Sequence, residues 1–529
     1  MHVIIILSNI RGVKMNEKIL VGQHLVGGFD GFNMPEDVKQ AVKEHKIGNF
    51  ILFSHNVKDS VQLKALCKEL KEVVRGETGF PPFIFIDQEG GVVTRLKEDA
   101  SITPSAMAVS STGNPENAYT AGLICGRELN AVGVNFDLAP VFDINSNEDN
   151  PVIGVRSYGD TPEIVSEYAC NMAKGLFDGG VYACAKHFPG HGDTNVDSHI
   201  GLPRIDKTME ELMAFELVPF IEAIKNGISG IMSSHILFPK IEKDNIPATL
   251  SNKIMTELLR NEIGFKGLTL SDCMQMAAID KFYGTVPGML MALKAGVDII
   301  FASHDTGLCV QASKLMQENL KSGDINKKQF DTSTNRILKY KKGLENFPRH
   351  SIDIVGSREH REKVADIYTQ SIVHTGAELP KLGDNPYFVS CRPFVTTLAA
   401  NPAIGENSLA EDMQKVFGGE CSLMSNSPDS QEIETLVNKA KGHSSIVVGS
   451  YNAHIYKGQE ELIHAMHALN IPMVVVALRN PYDVMYLPKG VSGIAAYSYN
   501  ESTVRALVDI LSGKRQATGK IPLKVKEKK

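Results

Sequence analysis

The 529 residues contain no tryptophan, so any aromatic stacking surface has to come from the 14 Tyr and 22 Phe. A basic excess is missing too. The 55 Lys and Arg are outnumbered by 61 Asp and Glu, for a formal net charge of -6, and this lends no support to nucleic-acid binding, which shows itself in a basic patch or a high pI. No apolar run approaches the roughly 20 residues of a membrane-spanning helix, so no membrane partner is expected. The eight Cys are scattered without a C-x-x-C pair, and Cys125, Cys170 and Cys184 fall inside apolar segments. Buried reduced thiols in a cytoplasmic protein fit that pattern. Residues 1–14 include Val3-Ile4-Ile5-Ile6-Leu7 but neither a basic start nor a small-residue cleavage site. They make a poor signal peptide, and Met15 reads as the more natural start. Internal repeats and low-complexity stretches are also lacking.

What is present is an ordinary globular composition, 43% apolar and 22% charged, on a chain long enough for two domains. Short apolar runs at 25–29, 49–53, 83–87, 134–141, 182–187, 230–235, 268–272 and 298–302 alternate with amphipathic stretches at 60–75, 117–132, 162–179, 209–226, 251–263 and 288–295. Alternating β and α units with nearly continuous apolar strands predict a parallel sheet covered by helices. Eight of them are what a (β/α)8 barrel requires, with a last helix at 332–347 closing the ring. This α/β barrel is expected over 15–348. A linker and a connecting helix (358–375) follow over 349–384, and a smaller αβα sandwich over 385–529. The sandwich has strand candidates at 387–391, 421–424, 445–450, 473–478 and 494–497, expected to form an open parallel sheet.

A barrel places its functional residues where strands end. Asp87, Asp137 and Asp143, Lys186 and His187, His235, Asp272, and Ser303-His304-Asp305 all fall at that end. The densest stretch is Lys186-His187-Phe188-Pro189-Gly190-His191-Gly192-Asp193-Thr194-Asn195-Val196-Asp197-Ser198-His199. Its Pro and Gly residues forbid a regular helix, so it leaves the fifth strand as a loop. The loop runs to about Lys207, before the capping-box start Thr208-Met209-Glu210-Glu211. Asp197 and His199 stand at i and i+2, which share a face in extended backbone, so the carboxylate can orient the imidazole for proton transfer near neutral pH. A solvated Asp beside an unrelated His is the plainer alternative. His187, His191, Asp193 and His199 also have the residue types of a metal site, but Pro189-Gly190 breaks the helix that the i, i+4 spacing depends on. Asp272 closes the apolar run Gly267-Leu268-Thr269-Leu270-Ser271 and reads either as a nucleophile or electrostatic stabiliser, or as the N-cap of a following helix. Asp87 with Arg95, flanking Gly90-Gly91, and Arg156 in a second Gly-containing loop are candidates for gripping sugar hydroxyls or a carboxylate. A tight turn with a surface ion pair would look the same.

Taken together, these segments resemble glycoside hydrolase family 3, in particular the two-domain bacterial β-N-acetylglucosaminidases. The likeness is carried by Asp87-Gln-Glu-Gly-Gly with Arg95, Leu138-Ala-Pro-Val with Asp143, Ile153-Gly-Val-Arg-Ser-Tyr-Gly159, the block Lys186 to Thr194 with Asp197-Ser-His199, and Leu270-Ser-Asp272. It extends more loosely to Ala477-Leu-Arg-Asn-Pro481 and Thr518-Gly-Lys-Ile-Pro522. Val92 departs from it, since the family commonly has Arg there. The resemblance implies a retaining mechanism in which Asp272 is the nucleophile, and His199, oriented by Asp197, is the acid and base. The usual retaining pair is two carboxylates about 5 Å apart; the His/Asp dyad is this subfamily's variation. Asp87, Arg95, Arg156, Lys186 and His187 would bind the sugar, with no metal and no organic cofactor. The expected activity is removal of terminal N-acetylglucosamine from peptidoglycan-derived fragments (muropeptides) or chitooligosaccharides, in cell-wall recycling, by a cytoplasmic monomer or weak homo-oligomer. Two alternatives stand beside it. One is phosphorolysis, since a neutral His base need not repel a phosphate dianion; the other is a catalytically silent carbohydrate-binding protein.

Overall fold

The computed structural model describes residues 16–194, 201–395, 397, 400 and 407–524. Eight parallel strands close into a barrel in chain order: β1 (Leu25–Gly27), β2 (Asn49–Leu52), β3 (Ile84–Ile86), β4 (Phe136–Asp137), β5 (Tyr182–Phe188), β6 (Gly230–Ser233), β7 (Leu268–Cys273) and β8 (Ile299–Ala302). The ring shuts through β1 and β8, with Leu25 opposite Ile300 and Val26 opposite Phe301. All eight expected runs are strands. The fourth is shorter than its apolar run, which reaches Pro140, a residue with no N–H to give the ladder; backbone bonds from Leu138 to Ile86 and from Cys184 to Ala139 continue beyond the strand, and Val141 bridges to Lys186.

Strand alternation sorts the side chains into two layers. Val26, Ile51, Phe85, Phe136, Leu138, Cys184, Met232, Leu270 and Phe301 fill the barrel interior, and their neighbours Leu25, Phe50, Leu52, Ile84, Ile86, Ala183, Ile231 and Ile300 belong to the larger core under the helices. Phe85 packs against Phe136 at 4.8 Å and Phe301 at 4.9 Å between centroids. One more inward step along each strand, beyond Ile51, Phe85, Cys184, Leu270 and Phe301, arrives at Phe53, Asp87, Lys186, Asp272 and Ser303. All five line one cavity. The period of two that makes the core thus also delivers the polar groups to its mouth.

The helices cover the outside much as expected, including Ser60–Thr78, Glu116–Val132 and Pro162–Asp178. The expected helix over 209–226 is two, Met209–Ala214 and Val218–Lys225, broken before Pro219. The reciprocal capping box of Thr208 and Glu211 is formed.

At the opposite end of the barrel, fully buried Asp298 joins Arg260 (2.6 Å) and Arg336 (2.5 Å). Burial opposes its ionisation, but the two guanidinium groups outweigh that and hold its carboxyl below the usual range. His24, also fully buried, donates from Nδ1 to the Asp298 carbonyl at 2.7 Å, and burial pushes it down from 6.5 to about 4. Between these two values the unfolded chain binds the proton and the native one does not, so stability rises with pH in that window. The expected outcome is a urea midpoint that is constant above pH 7 and drops as pH falls from 6.5 towards 4. In His24→Asn the drop should be shallower.

The second unit is a mixed six-stranded sheet in the order β11-β10-β12-β13-β14-β9. Its strands are β9 (Val373–Gly376), β10 (Pro386–Ser390), β11 (Glu420–Leu423), β12 (Ser445–Ser450), β13 (Met473–Ala477) and β14 (Ser492–Ala495). The expected all-parallel sheet is corrected at one edge. The helix placed over 358–375 ends at Ser371, and Val373–Gly376 pairs antiparallel with β14. β-branched residues and a glycine with φ +76° leave the helix there for a strand. β12 and β13 are buried along their whole length. Barrel residues Met107, Ala108 and Val155 belong to the same core as this sheet, so the two units share packing. Among the described residues, no helix is long and apolar enough to cross a membrane.

Candidate functional site

The cavity at the C-terminal ends of the strands has a volume of about 920 Å³. One side of it is a network of charges. Lys186 Nζ donates to Asp87 Oδ1 at 2.7 Å and lies 2.6 Å from Glu89 Oε1. Arg156 grips Glu89 in a two-pronged contact, Nε to Oε2 at 2.8 Å and Nη2 to Oε1 at 2.7 Å. Arg95 stands 4.0 Å from Asp87. Burial opposes the charge on Glu89, but Arg156 and Lys186 outweigh it and hold its carboxyl far below the usual value. Burial likewise opposes the charge on Lys186, and Asp87 and Glu89 reverse this and keep it an ammonium. Glu89 is the hub, a role not among those expected from the sequence. The signal for it was its place two residues beyond Asp87, on the same strand-end loop, in front of a Gly-Gly pair.

The loop of residues 87–95 is shaped from behind. Gln88 Oε1 accepts the backbone N–H of Arg95 at 2.7 Å and of Leu96 at 3.1 Å, and Gln88 N donates to Asp137 Oδ1 at 2.9 Å. Asp137 is fully buried, and burial raises its carboxyl well above the ordinary range. It supports the site and does not line it. Gly90 and Gly91 have φ of +94° and +55°, and a Cβ on either would press on the 103–105 backbone, so the sharp return needs both.

His187 reaches the cavity with Nδ1 donating to buried Asp143 at 2.7 Å. Asp143 also accepts the backbone N–H of His187 (3.2 Å) and of His191 (2.6 Å). Burial works against its charge, but His187 and His191 keep it below the usual range. His191 is pushed down to about 4, by burial first and then by His187, and its Nδ1 pairs with Thr194 Oγ1 at 2.8 Å. Asn150 holds the start of the fifth loop from the other side, donating to the carbonyls of His191 and Gly192, each at 3.0 Å. Lys207 ties Asp193 (2.8 Å) to Glu216. Asp197 and His199 lie outside the described residues. Among the described residues no cluster of three or more His, Cys, Asp or Glu is arranged to hold a metal.

Asp272 lines the same cavity as the charged network. It belongs to β7, whose pairing with β8 shifts register between Leu270 and Cys273. Such irregularities re-aim side chains beside active sites. The next helix, Ala277–Tyr283, is preceded by Met276, so the N-cap reading of Asp272 does not apply; Asp272 Oδ1 accepts the N–H of Cys273 at 2.7 Å. The other strand-end residues divide. Ser303 and His304 line the cavity. His235 is buried between Thr249 (2.8 Å) and the Cys273 carbonyl (3.0 Å), and Asp305 caps the helix Thr306–Ser322.

The second unit bears on the site through the loop that carries Arg156. Asn145 donates to the Tyr482 hydroxyl at 2.8 Å, and Lys524 N donates to Asp160 at 2.8 Å. Gly154 (φ +46°) and Gly159 sit where a Cβ would meet Asn480 Oδ1 at 2.5 Å and the Pro522 carbonyl at 2.6 Å. The two C-terminal motifs, 477–481 and 518–522, are therefore the surfaces that fit this loop. Val92 packs against the same C-terminal core. Gly154→Ala is expected to cost about 1–2 kcal/mol from the left-handed backbone alone. It should also raise KM for a glycoside by displacing Arg156, which thermal melts and kinetics of the variant would measure.

A family profile described as the glycosyl hydrolase family 3 N-terminal domain matches residues 12–340. The solved structure of a glycoside hydrolase family 3 β-N-acetylglucosaminidase from Paenibacillus sp. str. FPU-7 superposes with a TM-score of 0.88 at 34% identity, covering 97% of this chain and 99% of that one. β-Hexosaminidase A of Pseudoalteromonas piscicida is 34% identical over 386 residues, 67% of this chain but only 64% of that longer protein. A β-hexosaminidase of Neisseria gonorrhoeae is 34% identical over 280 residues, 52% of this chain and 76% of its own.

Proposed function

The chain belongs to glycosyl hydrolase family 3, in its β-hexosaminidase branch, and from that premise we propose that it is a retaining exo-β-N-acetylglucosaminidase. The observation that carries the reading is the position of Asp272, which lines one cavity together with the charged set Asp87, Glu89, Arg156 and Lys186. A terminal sugar held by its hydroxyls on Asp87, Lys186, Arg95 and His187 presents its anomeric carbon to the Asp272 carboxylate. Attack forms a covalent glycosyl-enzyme as the bond to the leaving oxygen breaks. His199, oriented by Asp197, protonates that oxygen and then takes a proton from the water that releases the sugar with its configuration retained. Arg156 acts mainly through Glu89, fixing the carboxylate that anchors Lys186.

The blind, charged end of the pocket suits a single terminal residue and hence exo cleavage of chitooligosaccharides or muropeptides. A role in cell-wall recycling in the cytoplasm, acting as a monomer or weak homo-oligomer, completes the proposal. The test is release of free N-acetylglucosamine from a chromogenic N-acetyl-β-glucosaminide, with the unsubstituted β-glucoside run beside it. Turnover that needs the acetamido group and is unchanged by chelator supports the reading. Strong stimulation by phosphate with sugar 1-phosphate as product would convert it to phosphorolysis.

A further inference from the structure

A stack of rings lines the cavity, starting beside Arg95 and reaching to the end of β8. Phe53, one step past the end of β2, lies nearly parallel to His304 (centroids 5.0 Å apart, 25° between planes) and to His55 (5.7 Å, 27°). The Arg95 guanidinium is 5.8 Å from the centre of the Phe53 ring. His304 follows Ser303 at the end of β8, and its backbone N–H donates to Gln275 Oε1 at 2.8 Å, which fixes the β8 loop to the stretch just beyond Asp272. Phe53, His55, Gln275 and His304 all line the cavity, and His304 is exposed at its mouth.

We propose that the His304 ring, backed by Phe53, is the platform on which the first sugar of the leaving group lies. The inference rests on the reading of Asp272 as nucleophile and goes beyond it by assigning the leaving-group side. Asp87, Glu89, Lys186 and Arg156 close the cavity beyond the terminal sugar, so the rest of an oligosaccharide has to depart from the anomeric carbon beside Asp272. β8 is the strand paired with β7, and the ring on its loop is therefore next to that exit. A pyranose presents a face of C–H groups, and a flat ring held rigid by a second ring meets it with little loss of side-chain freedom. Gln275 offers its amide to the hydroxyls at the sugar's edge. In a chain with no tryptophan, paired Phe and His rings supply the plate. The ligand class is a β-linked pyranose, such as the second residue of a chitooligosaccharide.

Two substrates separate this role from any effect on the terminal sugar: N,N′-diacetylchitobiose, and N-acetyl-β-glucosaminyl fluoride, whose leaving group is too small to reach the ring. In His304→Ala, kcat/KM for chitobiose is expected to fall roughly fivefold to tenfold, with the fluoride altered less than about twofold. His304→Phe, which keeps a ring on Phe53, should recover most of the loss. Equal losses on both substrates, or no loss on chitobiose, would overturn the platform. A wild-type enzyme that cleaves neither substrate would instead bring down the glycosidase reading and the platform with it.

Discussion

Asp272→Ala is expected to lower kcat/KM for an N-acetyl-β-glucosaminide by about 10⁴-fold or more, the scale seen when a member of a catalytic unit is removed. The loss should be almost entirely in kcat, because the groups proposed to hold the sugar stand on other strands: Asp87 and Arg95 after β3, Lys186 and His187 on β5. The shortened side chain also leaves room for a small anion. Added azide is expected to restore turnover in the variant and to yield the α-glycosyl azide, the product of a single displacement. A variant that retained wild-type activity would remove Asp272 from the mechanism altogether.

The second large effect concerns Glu89, whose carboxylate is held by Arg156 and Lys186. Glu89→Ala takes the shared carboxylate away from Arg156 and Lys186, whose side chains are only 4% and 2% exposed. Removing one partner of a buried ion pair costs about 3–5 kcal/mol, because the remaining charge keeps its desolvation penalty without its counter-charge. The urea midpoint should fall accordingly. KM should rise as well, since among the described residues Lys186 then keeps only Asp87 as a carboxylate partner and Arg156 has lost both prongs of its grip. Glu89→Gln keeps the shape and one acceptor but not the charge, so it should lie between Ala and wild type in both measurements. A Glu89→Ala protein as stable as wild type would mean that the two cations find water as readily as they find Glu89.

The barrel was legible because its strands are apolar on both layers and end in ionisable residues. Ile84-Phe85-Ile86-Asp87 and Leu268-Thr269-Leu270-Ser271-Asp272 state both the core and its polar exit in a few letters. Periodicity alone put Asp87, Lys186 and Asp272 on the inner face. It did not separate carboxylates that face the cavity from those that hold its walls. Asp137 and Asp143 end the same strand region as genuine cavity residues do, and only burial and hydrogen bonding place one behind Gln88 and the other beneath His187. Glu89 was missed for the opposite reason, since next to Asp87 and a Gly pair it reads as a turn residue until Arg156 arrives from the following loop. The antiparallel edge β9 was hidden because helical residues run straight into Val373–Gly376, and an edge strand that short is decided by its partner β14. The dependence of the Arg156 loop on 477–481 and 518–522 involves contacts more than 300 residues apart in the chain, which no local pattern conveys.

The covalent intermediate on Asp272 is the centre of the account. Its most direct test is incubation with 5-fluoro-N-acetylglucosaminyl fluoride, followed by proteolysis and mass measurement of the labelled peptide. The fluoride leaves readily, while the ring fluorine slows release of the sugar, so the intermediate should accumulate. The predicted result is one 5-fluoro-N-acetylglucosaminyl group on the peptide that contains Asp272, absent from Asp272→Ala, with β-configured sugar as the first product of normal turnover. Label on another residue, or no label with an α-configured first product, would contradict it.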